Sequence, residues 1–175
     1  MLHIRDAVLS DLPGILKIYN DAVRHLTATF DLEEQSLEDR QIWFEEHQGK
    51  YSLIVAEING EVVGYCSLSR FNPKPAYSHT SELSIYISSH HRGYGIGGAL
   101  MKDILYRAKK NQFHTVVSLI TGGNQASFKL HEKYGFTCVG CLKEVGLKFG
   151  EWHDVYYYQL KLDEQPENKL FKNLK

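Results

Sequence analysis

A strand-like run, Leu83-Ser84-Ile85-Tyr86-Ile87, passes through Arg92-Gly93-Tyr94-Gly95-Ile96-Gly97-Gly98 into a helix-like run, Ala99 to Lys110. No other stretch so narrows what this chain folds into and holds. A glycine-rich turn that opens a helix presents several backbone N–H groups to one point. With the helix dipole these form an anion site. Arg92 adds a permanent charge with fork geometry suited to phosphate. The stretch is a phosphate cradle on physical grounds.

Several readings compete for which phosphate, if any, it holds. Gly93, Gly95 and Gly98 satisfy the dinucleotide fingerprint G-x-G-x-x-G, but that motif needs a βαβ unit with an acidic residue about 20 positions further on. Phe113 to Thr121 contain no Asp or Glu. A P-loop ends in Gly-Lys-Ser/Thr, and here the chain reads Gly97-Gly98-Ala99. Arg92, Gly95 and Gly97 also spell Arg-x-x-Gly-x-Gly, which resembles the pyrophosphate loop of the GNAT superfamily, users of acetyl-coenzyme A. The bland alternative is a glycine turn with no ligand.

The chain has 175 residues, 43% hydrophobic and 23% charged, which fits one soluble domain over 1–162 with a polar tail over 163–175. A net charge of −1 with interspersed signs lacks the footprint of a nucleic-acid binder. Without a signal-peptide pattern or a long apolar run, a cytoplasmic, membrane-free location is expected. Cys138-Val139-Gly140-Cys141 is formally C-x-x-C, yet no second ligand pair stands near and the pair lies in a β-like run, so buried or partly buried free thiols and no metal are expected. His90-His91 reads as loop, since adjacent residues on an extended chain face opposite ways.

Local signals give the element order. His3 to Arg5 is a short strand. Ser10 is the expected N-cap of a helix with Leu12, Ile15, Leu16, Tyr19 and Val23 at helical period. Ser36, with Asp39 at a capping-box position, opens a second helix through Arg40, Trp43 and Phe44. Strands at 52–57 and 61–69 flank Asn59-Gly60, a hairpin signal. Phe71 to His79, with Pro73 and Pro75, reads as an exposed loop. In the strand at 82–87, Glu82, Ser84 and Tyr86 share one face and Leu83, Ile85 and Ile87 the other. Thr115 to Ile120 is a buried strand, and Asn124 caps a helix that Gly135 ends. Strands at 136–143 and 155–162 are joined by a loop holding Gly146, Gly150 and Trp152. The order β-α-α-β-β-β-α-β-α-β-β predicts an α/β (α+β) mixed, mostly antiparallel sheet with helices on both faces.

Four passages extend the resemblance over roughly 3–162 and bring it to the phosphinothricin and methionine sulfoximine acetyltransferases within GNAT. They are Ile18-Tyr19-Asn20-Asp21-Ala22-Val23; Ala76-Tyr77 with Thr80-Ser81-Glu82; Asn124-Gln125-Ala126-Ser127 with Leu130-His131-Glu132; and Gly150-Glu151-Trp152-His153-Asp154-Val155. The likeness implies acetyl transfer from acetyl-CoA to the α-amino group of a small amino acid. It implies a carboxylate base at Glu82 and a catalytic His131, where many GNAT enzymes have tyrosine. Ile85, Tyr86 and Ile87 are then expected along the pantetheine arm, residues Arg92 to Gly98 on the pyrophosphate, and Asn124 and Ser127 on coenzyme A. Phe30, Lys74 and Tyr77 resemble the acceptor pocket, with Lys74 where the family tends to show arginine, which removes the bidentate fork. A homodimer is also implied, with the Gly146–Trp152 loop reaching the partner.

Other functions stay open on the sequence: another amine acceptor (a protein N-terminus or a polyamine), or a CoA- or nucleotide-binding module without catalysis. The bland readings are an exposed strand-edge glutamate for Glu82, a solvent-paired helix histidine for His131 and a helix cap for Asn124.

Overall fold

The order of elements is the one predicted. The computed structural model describes residues 1–164, so most of the expected tail lies outside the described residues. The elements are β1 (Leu2–Asp6), α1 (Leu12–His25), α2 (Leu37–Glu46), β2 (Leu53–Ile58), β3 (Glu61–Arg70), β4 (Thr80–Ile87), α3 (Ile96–Lys110), β5 (Thr115–Thr121), α4 (Gln125–Lys133), β6 (Thr137–Lys148) and β7 (Glu151–Lys161). Seven strands form one sheet in the order β1-β2-β3-β4-β5-β7-β6. All neighbours are antiparallel except β4 and β5.

Helices cover both faces. On one, α1 and α2 pack over Leu53, Val55 and Tyr65, with Leu12, Ile15 and Ile18 as the inward stripe of α1. On the other, α3 buries Leu100, Met101, Ile104, Leu105 and Ala108 against the larger core, which α4 joins through Phe128 and Leu130. Ser36 caps α2 as expected. Its Oγ accepts from Asp39 N at 3.1 Å, and Asp39 Oδ2 accepts from Ser36 N at 3.0 Å. The β2–β3 hairpin turns at Asn59 and Gly60, both at positive φ, as a type I′ turn requires.

Four expectations need correction. Ser10 does not cap α1; it lies exposed in a 3-10 turn, Leu9–Asp11, and Asp11 precedes the helix instead. The Asp11 carboxylate is taken by Val8 N–H and by a bidentate pair with Arg5, while Pro13 supplies a first turn that needs no donor there. Helix α3 starts at Ile96 rather than Ala99, with Gly97 and Gly98 in its first turn. The predicted loop between the last strands is mostly strand. Gly146 belongs to β6 and Trp152 to β7, and only Phe149-Gly150 makes the turn. Cys138 is exposed, not buried, although it and Cys141 are free thiols as expected.

Candidate active site

Strands β4 and β5 pair over only three positions, Thr80↔Thr115, Ser81↔Val116 and Glu82↔Val117. Beyond Glu82 they part. On its other side β4 stays bonded to β3 as far as Ile87↔Gly64, and β5 stays bonded to β7 as far as Thr121↔Val155. The outer edge of Leu83–Ile87 therefore faces an open wedge with its peptide groups free to bond. Here the sheet lacks rungs that backbone polarity demands.

Two adjoining cavities fill the wedge. The inner one, about 240 Å³, is lined by Glu82, Tyr86, Ser118, Thr121, His131 and Phe30, among others. The outer one, about 570 Å³, shares Ile85, Tyr86, Asn124 and Ser127 with it and runs out to Ile87, Arg92, Gly93 and Gly97. Eleven of the seventeen site residues chosen from the sequence thus line one continuous wedge. Gly95, the N-cap of α3, has φ +77°, a conformation that glycine adopts without strain. A Cβ on Gly97 would stand 3.1 Å from Ile87 Cδ1 and 3.2 Å from Leu130 Cδ2, so a side chain there would crowd the cradle. The first N–H groups of α3 open at the end of the outer cavity beside the exposed Arg92. Tyr94 turns to solvent and Ile96 into the core, leaving their backbones for the loop, while Gly98 C=O is held by Tyr134 Oη at 2.8 Å.

Glu82 is half-buried and has no hydrogen-bond partner among the described residues; burial pushes its pKa up. His131, on α4, is 2% exposed. Its Nδ1 lies 2.8 Å from the Ser127 carbonyl. A carbonyl only accepts, so Nδ1 carries the proton and Nε2 a lone pair. Nε2 is buried and unpartnered among the described residues. Burial lowers the pKa of this imidazole, so it is neutral near neutral pH. Asn124 does cap α4, its Oδ1 accepting from Ser127 N at 3.2 Å.

A roof covers the inner cavity. The α1–α2 loop lays Ala28, Thr29 and Phe30 over it, and two side chains pin that loop. Thr121 Oγ1 donates to Thr27 C=O at 2.6 Å, and Lys148 Nζ donates to Thr29 C=O at 2.8 Å. Lys148 is 2% exposed, and burial lowers its pKa. The Phe30 ring lies on Gly146 so closely that a Cβ there would fall well inside van der Waals contact. Lys74 and Tyr77 lie apart, exposed on the 71–79 loop and outside the cavity lining, with Tyr77 against Phe71. Sequence reasoning passed over Ser118, whose buried, unpartnered Oγ faces the inner cavity; its signal was a lone hydroxyl inside an apolar strand. Among the described residues no group of three or more His, Cys, Asp or Glu is placed to hold a metal ion. None of their helices is long and apolar enough to cross a membrane.

This geometry meets matching relatives. The L-methionine sulfoximine/L-methionine sulfone acetyltransferase of Pseudomonas paraeruginosa is 41% identical over 162 residues, which span 91% of this chain and 94% of the relative. A phosphinothricin acetyltransferase from Sinorhizobium meliloti, solved in complex with AcCoA, superposes with a TM-score of 0.90 at 32% identity over 99% of this chain and 97% of that one. A ribosomal-protein-alanine N-acetyltransferase from Brucella melitensis superposes with a TM-score of 0.88 at 41% identity, over 91% of this chain and 99% of the other. The family described as Acetyltransferase (GNAT) domain matches residues 4–157. With a split parallel pair, a glycine cradle on α3 and that match over most of its length, the chain belongs to the GNAT acetyltransferase family.

Proposed function

We propose that the protein moves the acetyl group of acetyl-CoA to the α-amino group of a small amino acid or glutamate analogue of the phosphinothricin or methionine sulfoximine type. The supporting observation is one continuous wedge with Glu82 and His131 at its closed end and the Arg92–Gly98 cradle at its mouth. Arg92 and the N–H groups of Gly93 to Gly98 hold the pyrophosphate, with Asn124 and Ser127 against the coenzyme. The free edge at Ile85, Tyr86 and Ile87 pairs with the pantetheine arm as an added strand, and an N–H there polarises the thioester carbonyl. The acceptor enters beneath Phe30, with Lys74 and Tyr77 meeting it when the 71–79 loop folds inward.

The acceptor reaches the site as an ammonium, whose pKa is near ~7.7–8.0 when unperturbed. Glu82, made more basic by burial, takes its proton directly or through a water. The freed nitrogen attacks the carbonyl carbon, the C–S bond breaks, and the coenzyme thiolate takes a proton. His131 is poised as a second acceptor through Nε2 and, once protonated, as the donor to that thiolate. A cytoplasmic location accords with this reading.

A protein N-terminus is the second reading, favoured by the likeness to the Brucella enzyme, whose name specifies a ribosomal protein. One assay separates them: free-thiol release from acetyl-CoA with phosphinothricin, methionine sulfoximine, methionine sulfone, natural amino acids, polyamines and short peptides. Rapid turnover is expected on the glutamate analogues. Turnover confined to peptides would overturn the small-acceptor reading and favour the second.

A homodimer goes with this assignment. Strand β6 is the outer strand, and its hairpin with β7 exposes Leu147, Phe149 and Trp152, the last two 58% and 60% accessible. Exposed apolar side chains clustered at an unpaired edge mark an interaction surface. Light scattering is expected to show a dimer for the wild-type chain and a monomer for Trp152→Glu. A dimer unaffected by that change would place the interface elsewhere.

A further inference from the structure

Two buried polar atoms at the closed end of the wedge, Ser118 Oγ and His131 Nε2, have no hydrogen-bond partner among the described residues. Their residues are 1% and 2% exposed, and both line the inner cavity. The register puts them on one side of the sheet. Ser118 stands opposite Tyr158, and its neighbours at alternate positions, Val116 and Ile120, enter the core beneath α3 and α4 together with Tyr158. The His131 ring lies 6.2 Å from that same Tyr158 ring, centroid to centroid. Glu82 and Tyr86 project from the opposite side, where Tyr86 packs with Tyr19 and Tyr65. Along the seam, Ser118 is the first residue of β5 past the last rung, Glu82↔Val117, and so sits level with Leu83 at the vertex. A group bound between the parted strands therefore meets a carboxyl group on one face and a hydroxyl with an imidazole on the other.

What each atom offers is fixed. His131 Nδ1 gives its proton to the Ser127 carbonyl, so Nε2 presents a lone pair. Ser118 has a hydroxyl proton with no acceptor among the described residues. The group that satisfies both accepts from the hydroxyl and donates to the imidazole. A thiol does this, since its sulfur accepts and its S–H donates. A thioester sulfur, lacking the proton, matches Ser118 alone. A thiolate matches Ser118 better still, because a hydrogen bond to an ion is about twice as strong as a neutral one.

We propose that Ser118 is a further catalytic residue: its O–H donates to the coenzyme sulfur as the thiolate forms, and with His131 Nε2 it holds the resulting thiol. This rests on the course proposed for the pantetheine arm along the free edge of β4. The acceptor nitrogen bonds to the carbonyl carbon from the Glu82 face, and the C–S electron pair moves onto sulfur on the other. No proton leaves Ser118. Its O–H···S bond strengthens as charge develops, so it favours the transition state over the bound thioester. The acceptor ammonium loses two protons in all. One goes to Glu82 and on to solvent. The other, lost once nitrogen has bonded to carbon, passes through His131 Nε2 to sulfur, and the new S–H points back at Nε2.

The test compares coenzyme A with desulfo-coenzyme A, which ends in an ethyl group, as inhibitors competing with acetyl-CoA. In Ser118→Ala, inhibition by coenzyme A is expected to weaken about 2–10-fold, the scale of one neutral hydrogen bond. Desulfo-coenzyme A is expected to inhibit as it does the wild type. Turnover is expected to fall about 10–100-fold, the scale of a hydrogen bond to a charged group, with acceptor KM little changed. The melting temperature is not expected to drop, because the hydroxyl removed is one whose burial nothing in the empty protein offsets. Ser81→Ala is the control. Its hydroxyl is likewise buried, unpartnered among the described residues and two positions before Leu83 on the same side of β4, but it lines neither cavity. There the two inhibition constants are expected to keep their wild-type ratio. Should Ser118→Ala fail to fold, Ser118→Cys, nearly isosteric and a weaker donor, carries the same comparison. An unchanged ratio of the two constants overturns the proposal, and equal weakening is what a water held between Ser118 and His131 would give. Wild-type turnover in Ser118→Ala overturns it too. Either result beside a wild type that turns over acetyl-CoA removes this proposal alone. A wild type indifferent to both inhibitors removes the coenzyme site on which it rests.

Discussion

Glu82→Gln is expected to lower turnover by about 10²–10⁴-fold, the usual contribution of a positioned general base, while acetyl-CoA still binds. The amide keeps the shape of the side chain and loses only its capacity to accept the ammonium proton. The pH dependence has a definite sign. Burial holds the Glu82 carboxyl above the ordinary carboxylate range, so the rate in the wild type rises as pH climbs through that raised value, and this limb disappears in the variant. Stability moves the other way. A carboxyl whose folded pKa is raised binds more protons in the folded than in the unfolded chain between the two values. Stability therefore falls as pH rises from the ordinary value through the raised one. Glu82→Gln removes that penalty, and its melting temperature near neutral pH is expected to exceed that of the wild type, a trade of stability against activity common at active sites. Steady-state kinetics, acetyl-CoA titration and melts across pH check all three. A variant with full turnover would take Glu82 out of the chemistry.

Gly146→Ala is expected to act on the acceptor and leave the coenzyme alone. A methyl group at 146 collides with the Phe30 ring, and that ring lines the inner cavity. The loop bearing it is pinned at Thr27 and Thr29 by Thr121 and Lys148, so the ring itself must swing, into the space proposed for the acceptor. A displacement on the ångström scale costs up to about 10²-fold in productive alignment. The expected result is a sharp rise in acceptor KM, with fall in kcat/KM to match and acetyl-CoA affinity unchanged. Wild-type acceptor kinetics in Gly146→Ala would show that Phe30 does not shape the acceptor site.

Features encoded within a few residues are legible in the sequence itself. The Ser36–Asp39 capping box, the Asn59-Gly60 turn, the alternation that puts Glu82 and Tyr86 on one face, and the glycine cradle each depend on spacing alone. Ser10 misled because a serine before an apolar period looks like a cap, whereas a 3-10 turn over Leu9–Asp11 carries the chain one residue further, and the Asp11 carboxylate at the helix start is taken by Arg5 and by Val8 N–H. Gly146 misled for a related reason. Propensity cannot separate a turn glycine from a strand glycine that makes room for a ring, and the irregular register of β6 between Leu142 and Gly146, with Glu144 at φ +50°, hid the strand further. His47 and Ser69 come together only through the seat of α2 on the sheet, which leaves no local trace. Lys148 gave no sign either, since nothing around it in the chain announces a buried lysine.

The three-rung pairing of β4 with β5 has a mechanical consequence. Everything from β1 to β4 meets the trio β5, β7 and β6 along a seam that is zipped at one end only, so the sheet is a clasp rather than a plate. In the binding mode proposed above, a thioester cosubstrate laid along the free edge of β4 would supply the missing rungs and latch the two sides. Departure of the spent coenzyme would then unlatch them, making product release the step in which the fold gives up internal cohesion. Any change that tightens the seam in the empty protein should therefore trade against turnover, even where it touches no reacting atom.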